Sequence, residues 1–102
     1  MFDDYKLSRD RFKELKHFCR QYDYYIERYE NCTDGAERAD LINAIELIET
    51  TAISTDPIFF STILDFVTKD VSYKDVEMPV DRLIFEYLIA RFYWLLSKRK
   101  GV

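Results

Sequence analysis

Apolar side chains recur at alternating steps of three and four residues through Phe12, Leu15, Cys19, Tyr22, Ile26 and Tyr29, the spacing that lays one stripe along one face of a helix. Ser8 stands where a side-chain oxygen can cap its start. The pattern predicts one long amphipathic helix that stops around residues 31–35, where Asn31 and Gly35 favour a turn. Asp34 and Glu37 have the spacing of a capping box, and they open a second helix with apolar positions at Leu41, Ala44 or Ile45, Ile48 and Ala52. So short a connection predicts an antiparallel helical hairpin.

The second half is more continuously apolar. Asp56 is placed as a cap and Pro57 as the first residue of a third helix over 58–67. Ser72 and Asp75 have capping-box spacing on a helix too short to stand alone. Pro79 and Asp81 then carry the grammar of a helix start, with Asp81 able to accept from the free N–H groups of the first turn. Between Leu83 and Leu96 only Glu86 and Arg91 are charged, so the last helix is either the central strut of the domain or, in part, a docking surface. A helix apolar all round is normally buried, which favours the strut.

The expected fold is therefore all-α and a single domain: a helical hairpin over 8–53, followed by a three-helix unit over 54–102. In that unit a short helix, a tight turn and a longer helix have the order of a helix-turn-helix. Composition supports the class. With two Gly and two Pro among 102 residues, and 48% hydrophobic residues, the chain suits neither disorder nor a turn-rich β-sandwich. No apolar run reaches the roughly 20 residues of a membrane span, and the acidic start lacks the layout of a signal peptide, so a soluble protein of the host cytoplasm is expected.

The chemistry-bearing residues are few. Cys19 and Cys32 lie too far apart along a helix, at about 1.5 Å per residue, to form a disulfide, which predicts two free thiols. His17 is the one histidine, and no Cys or His pair has zinc spacing. There is no Gly-rich phosphate loop and no nucleophile elbow. The sequence thus predicts no enzyme, no cofactor and no metal.

Charge is segregated along the chain. Residues 6–20 hold Lys6, Arg9, Arg11, Lys13, Lys16 and Arg20 against Asp10 and Glu14, whereas residues 23–49 hold eight acids against Arg28 and Arg38. Asp23, Glu27, Glu30, Asp34, Glu37 and Asp40 form a candidate acidic patch that suits a basic partner surface, such as a nucleic-acid channel of another protein. The alternative is an ordinary solvated face.

The runs Phe12 to Tyr22, Ile45 to Ala52, Asp56-Pro57, Val67 to Val80 and Phe92 to Arg99 together resemble small phage and prophage proteins related to the RinA and ArpU late transcription regulators. Pro79, Val80, Asp81, Arg82 and Phe85, then Phe92 to Leu96 with Lys98 and Arg99, carry the resemblance. It implies a DNA-binding unit like region four of sigma factors, acting on DNA alone or with RNA polymerase. In it Arg82, Arg91, Lys98, Arg99 and Lys100 would touch phosphates or bases. The chain departs from that pattern at Leu83, Ile84, Glu86, Tyr87, Ile89 and Ala90, where groove-reading polar residues are expected. Residues 54–102 also balance seven basic against seven acidic side chains, leaving no positive field of the kind DNA binding uses.

Two functions follow, with the regulator placed first. The other is a phage-derived protein-binding module, such as an inhibitor of a basic host defence nuclease of the anti-CRISPR kind, using Glu27, Glu30, Asp34 and Glu37 on the hairpin and Glu86, Ile89 and Tyr93 on the last helix. A helical wheel groups Arg82, Glu86, Ile89, Tyr93 and Ser97 on one face, which predicts Ile89 and Tyr93 to be exposed and available to a partner or to a symmetric dimer.

Overall fold

The computed structural model describes residues 5–69, 72–75 and 80–101. Within them the chain is all-helical, with α1 (Arg9–Arg20), α2 (Tyr22–Asn31), α3 (Gly35–Thr55), α4 (Phe60–Thr68), a 3₁₀ turn (Tyr73–Asp75) and α5 (Arg82–Arg99). No helix among the described residues is long and apolar enough to cross a membrane.

The stripe from Phe12 to Tyr29 is divided between two helices. At Gln21 (φ −90°, ψ 7°) the first helix ends and the second begins, with the Gln21 N–H still donating to helical carbonyls behind it. The break redirects the stripe: α1 turns Leu15 and Cys19 into the core against α4 and α5, while α2 lies on α3. Of the two parts of the stripe, it is α2 that packs along α3, with Tyr22 reaching Glu49 at one end and Arg28 reaching Glu37 at the other.

Local caps largely follow the sequence. The Ser8 hydroxyl accepts from Arg11 N at 3.2 Å, and Asp34 Oδ1 accepts from Ala36 N at 3.1 Å. Glu37 does not close the expected box; its carboxylate reaches across the hairpin to Arg28. Asp56 Oδ1 accepts from both Ile58 N (2.8 Å) and Phe59 N (3.0 Å), but a turn over 57–59 precedes α4, which starts at Phe60. The Ser72 hydroxyl donates to the Asp75 carboxylate, closing a single 3₁₀ turn. Asp81 occupies the cap position of α5 without a side-chain capping bond. Pro79 and the tight turn over 76–79 lie outside the described residues.

α5 is the strut. Phe85, Leu88, Ile89, Phe92, Tyr93 and Leu96 form half of the buried cluster, joined by Leu15 and Cys19 of α1, Ile48 and Ala52 of α3, and Ile63 and Val67 of α4. Both halves of the sequence thus share one core. Three buried threonines would each cost stability if left unbonded. Instead Thr51, Thr55 and Thr68 donate to the carbonyls of Leu47, Thr51 and Leu64, one turn back, at 2.6–2.8 Å.

Candidate partner interface

Each cation assigned to DNA has an intramolecular role or a shielded position. Arg82 Nε pairs with Glu86 at 3.0 Å, one turn along α5, and its guanidinium lies 5.3 Å from the centre of the Tyr73 ring. Arg91 is half-buried. Lys98 sits 5.3 Å over Trp94, and Lys100 sits 3.8 Å over Phe18. Arg99 reaches α3, donating to the hydroxyls of Ser54 at 2.7 Å, Thr51 at 3.3 Å and Thr50 at 3.4 Å. Arginine presents five donors in a planar fork, and this fork fastens the end of α5 to α3.

Ile89 and Tyr93 are not exposed. Each is 4% accessible, and the Tyr93 ring meets Phe12 edge-on at 5.0 Å. Arg11 extends the cover, donating to the Ser97 hydroxyl at 3.1 Å and the Ser97 carbonyl at 3.3 Å. The helical wheel grouped these residues correctly, but α1 occupies the face they form. The predicted dimer patch at Ile89 and Tyr93 is therefore filled from within the chain. The apolar side chains that α5 does expose are Leu83 and Ile84, at its first turn.

The hairpin presents the opposite arrangement. Arg28 Nε binds Glu37 at 2.7 Å, which holds the Glu37 carboxyl below its ordinary range, with a further contribution from the Cys32 thiol. The same pair raises the Arg28 guanidinium. Arg38 turns inward, donating to the carbonyls of Tyr29 and Cys32 at 3.0 Å and stacking 4.2 Å over the Tyr29 ring. It thereby satisfies carbonyls left open at the C-terminus of α2. The Cys32 thiol donates to Glu37 Oε2 at 3.3 Å. These contacts fix the tip and engage both arginines within it.

What remains outward is acidic. Asp23, Glu27 and Glu30 recur at steps of four and three on α2 and are exposed, as are Asp34 and Asp40, so the three α2 acids share one face. Tyr24, 58% accessible, borders that face beside a shallow depression formed with Glu27, Arg28 and Asn31. The sequence reading passed over Tyr24, although its register was a signal: Tyr22, Ile26 and Tyr29 take the inner stripe, which leaves Tyr24 outside. An exposed aromatic among charges has the anchor chemistry of protein interfaces.

The described residues thus define a small all-α protein in which Arg82, Lys98, Arg99 and Lys100 of the last helix and its end contact neighbours within the chain, and one acidic hairpin face is turned to solvent. Comparison with protein-family models, with curated proteins and with solved structures returned no match.

Proposed function

We propose that the protein is a binding module that docks the acidic face of α2 on a basic protein surface, of the kind that lines a nucleic-acid channel. The observation that supports this reading is the asymmetry between the two ends: Asp23, Glu27 and Glu30 are exposed in one row, while Arg82, Arg99 and Arg28, also at the surface, each contact a partner within the chain. A recognition helix must offer a free polar face to the major groove. α5 instead buries Phe85, Leu88, Ile89, Phe92, Tyr93 and Leu96, and its first turn exposes Leu83 and Ile84. A row of like charges beside Tyr24 suits steering towards a basic partner and anchoring on it. Occupation of such a channel would block nucleic acid by competition, which makes a host defence nuclease the partner class tested first.

The test is capture from bacterial lysate by the wild type and by the triple variant Asp23→Lys, Glu27→Lys, Glu30→Lys. The reading expects the wild type to retain a nucleic-acid-binding protein and to displace duplex from it in a mobility shift, with both effects lost in the variant. Equal capture and equal displacement by both proteins would remove the acidic row from the mechanism. Recovery of RNA polymerase in a complex insensitive to the triple change would favour the regulator reading.

A further inference from the structure

Burial divides α3 into two parts. Its second half buries Ile45, Ile48, Thr51, Ala52 and Thr55, whereas nothing from Gly35 to Ala44 is buried, and α2 buries none of its residues. The ties of α2 to the core lie at its start: Tyr22 and Tyr25 pack against the central cluster, and the Tyr22 hydroxyl donates to Glu49 on the second half of α3. From Ile26 to Ala44 no residue belongs to that cluster or packs against it, and Cys32 alone is buried. The far end of the hairpin thus stands outside the core.

Burial of apolar surface is the main driving force of folding, and a helix as short as α2 is marginal in water by itself. The charges of this end also oppose its closure, since residues 26–44 set Glu27, Glu30, Asp34, Glu37 and Asp40 against Arg28 and Arg38. The polar contacts that hold it run between the two helices. Arg28 binds Glu37 at 2.7 Å from an exposed position, a pair of small worth in water. Arg38 differs in kind: it is half-buried, its Nη1 donates to both the Tyr29 and Cys32 carbonyls at 3.0 Å, and its guanidinium lies 4.2 Å from the centre of the Tyr29 ring. Bonds from a charged donor are the stronger ones, and these join α3 to the end of α2.

We infer that residues 26–44 open as one cooperative unit while the core stays folded, and that Arg38 is the latch that keeps the unit closed. Regions with little buried apolar surface open at lower free energy than the core, in contiguous units. Glu27 and Glu30 lie inside this unit. On the function proposed above, the acidic row is therefore presented only while the latch holds, and the open fraction lowers the apparent affinity for a partner. That consequence rests on the acidic-row reading; the opening itself is a property of the free chain.

The test is native-state amide exchange on the full chain, with the two thiols as chemical reporters. Amides of 27–31 and 39–44 should share one protection value and one denaturant slope, both below those of 48–52 and 88–96. Cys32 lies in the unit and Cys19 in the core, so Cys32 should be alkylated ahead of Cys19. Arg38→Ala should speed exchange at 27–31 and 39–44, and labelling of Cys32, about tenfold, with 88–96 and Cys19 unchanged. Arg28→Ala should have the smaller effect. Equal protection and slope in the hairpin end and the core would overturn the separate unit, as would different values for 27–31 and 39–44. No acceleration in Arg38→Ala, or a larger one in Arg28→Ala, would overturn the latch. An Arg38→Ala chain that failed to fold, with Cys19 labelled as fast as Cys32, would overturn both, because the unit is defined by a core that survives its opening. Failure of the acidic-row capture experiment alongside the expected exchange would remove the proposed function and leave the opening in place.

Discussion

The α2–α3 hairpin and the more apolar, α5-centred end of the molecule handle charge in opposite ways. At the α5 end, cations make contacts within the chain, two of them from surface positions: Arg82 to Glu86, Arg99 to three hydroxyls of α3, and the half-buried Arg11 to Ser97. In the hairpin, internal contacts take up Arg28 and Arg38 and leave the acids of α2 outward. Counting charges along a segment therefore misjudges the field it presents. What matters is which charges the fold has already paired.

The largest expected difference between the two regions is in stability. Phe92 is fully buried on α5, and Phe92→Ala should cost about 3–5 kcal/mol in chemical denaturation. The hairpin triple change Asp23→Lys, Glu27→Lys, Glu30→Lys touches exposed positions only and should shift stability by less than about 1 kcal/mol. A reversed order of these two effects would break the distinction between strut and presented face.

Arg99→Ala comes next, with an expected loss of about 1 kcal/mol in the same assay. A double-mutant cycle with Ser54→Ala should return coupling between the two, because the 2.7 Å bond is lost in either single variant. Additive effects would mean that Arg99 does not fasten α5 to α3, and would return it to the pool of free cations.

Smaller effects probe the hairpin tip and the core thiol. Glu37 is held below its ordinary range by Arg28 in the folded state, so its contribution is present above the unfolded carboxyl value and is lost as pH falls through the lower folded value. Thermal unfolding of the wild type and Glu37→Gln should therefore differ near neutrality and converge in acid below about pH 4. Burial pushes the Cys19 thiol up to about 12, so its alkylation near neutral pH should proceed only as fast as the chain opens. Prompt modification of Cys19 in the folded protein would contradict its place in the core.

Much of this fold was legible in the sequence because the signals were local. Ser8 and Asp34 cap as their positions suggest, whereas Asp56 accepts from the turn that precedes α4 rather than from its first residues, and the Ile45, Ile48, Ala52 stripe is buried. The break at Gln21 was not legible. No Gly or Pro marks it, and the redirected packing of α1 towards α4 and α5 depends on contacts distant in sequence. The same non-local contact hid Ile89 and Tyr93, since a helical wheel shows which residues share a face and not what covers it. For the site, the acidic segment was visible as composition, whereas the pairing of Arg28 with Glu37 and the inward turn of Arg38, which leave Asp23, Glu27 and Glu30 outward, required the tertiary structure. Tyr24 was readable from register and was passed over in favour of the charges around it.

The central claim is that the C-terminal cations are occupied by the fold and do not form a DNA-reading surface. It is tested most directly by fluorescence anisotropy of labelled duplex DNA titrated with the purified protein at low salt. The account predicts no saturable binding at micromolar protein, and no change on Arg82→Ala or on the joint change of Lys98, Arg99 and Lys100 to Ala. Saturable binding that weakens steeply with added salt, as counterion release requires, and that is lost in either variant would contradict it.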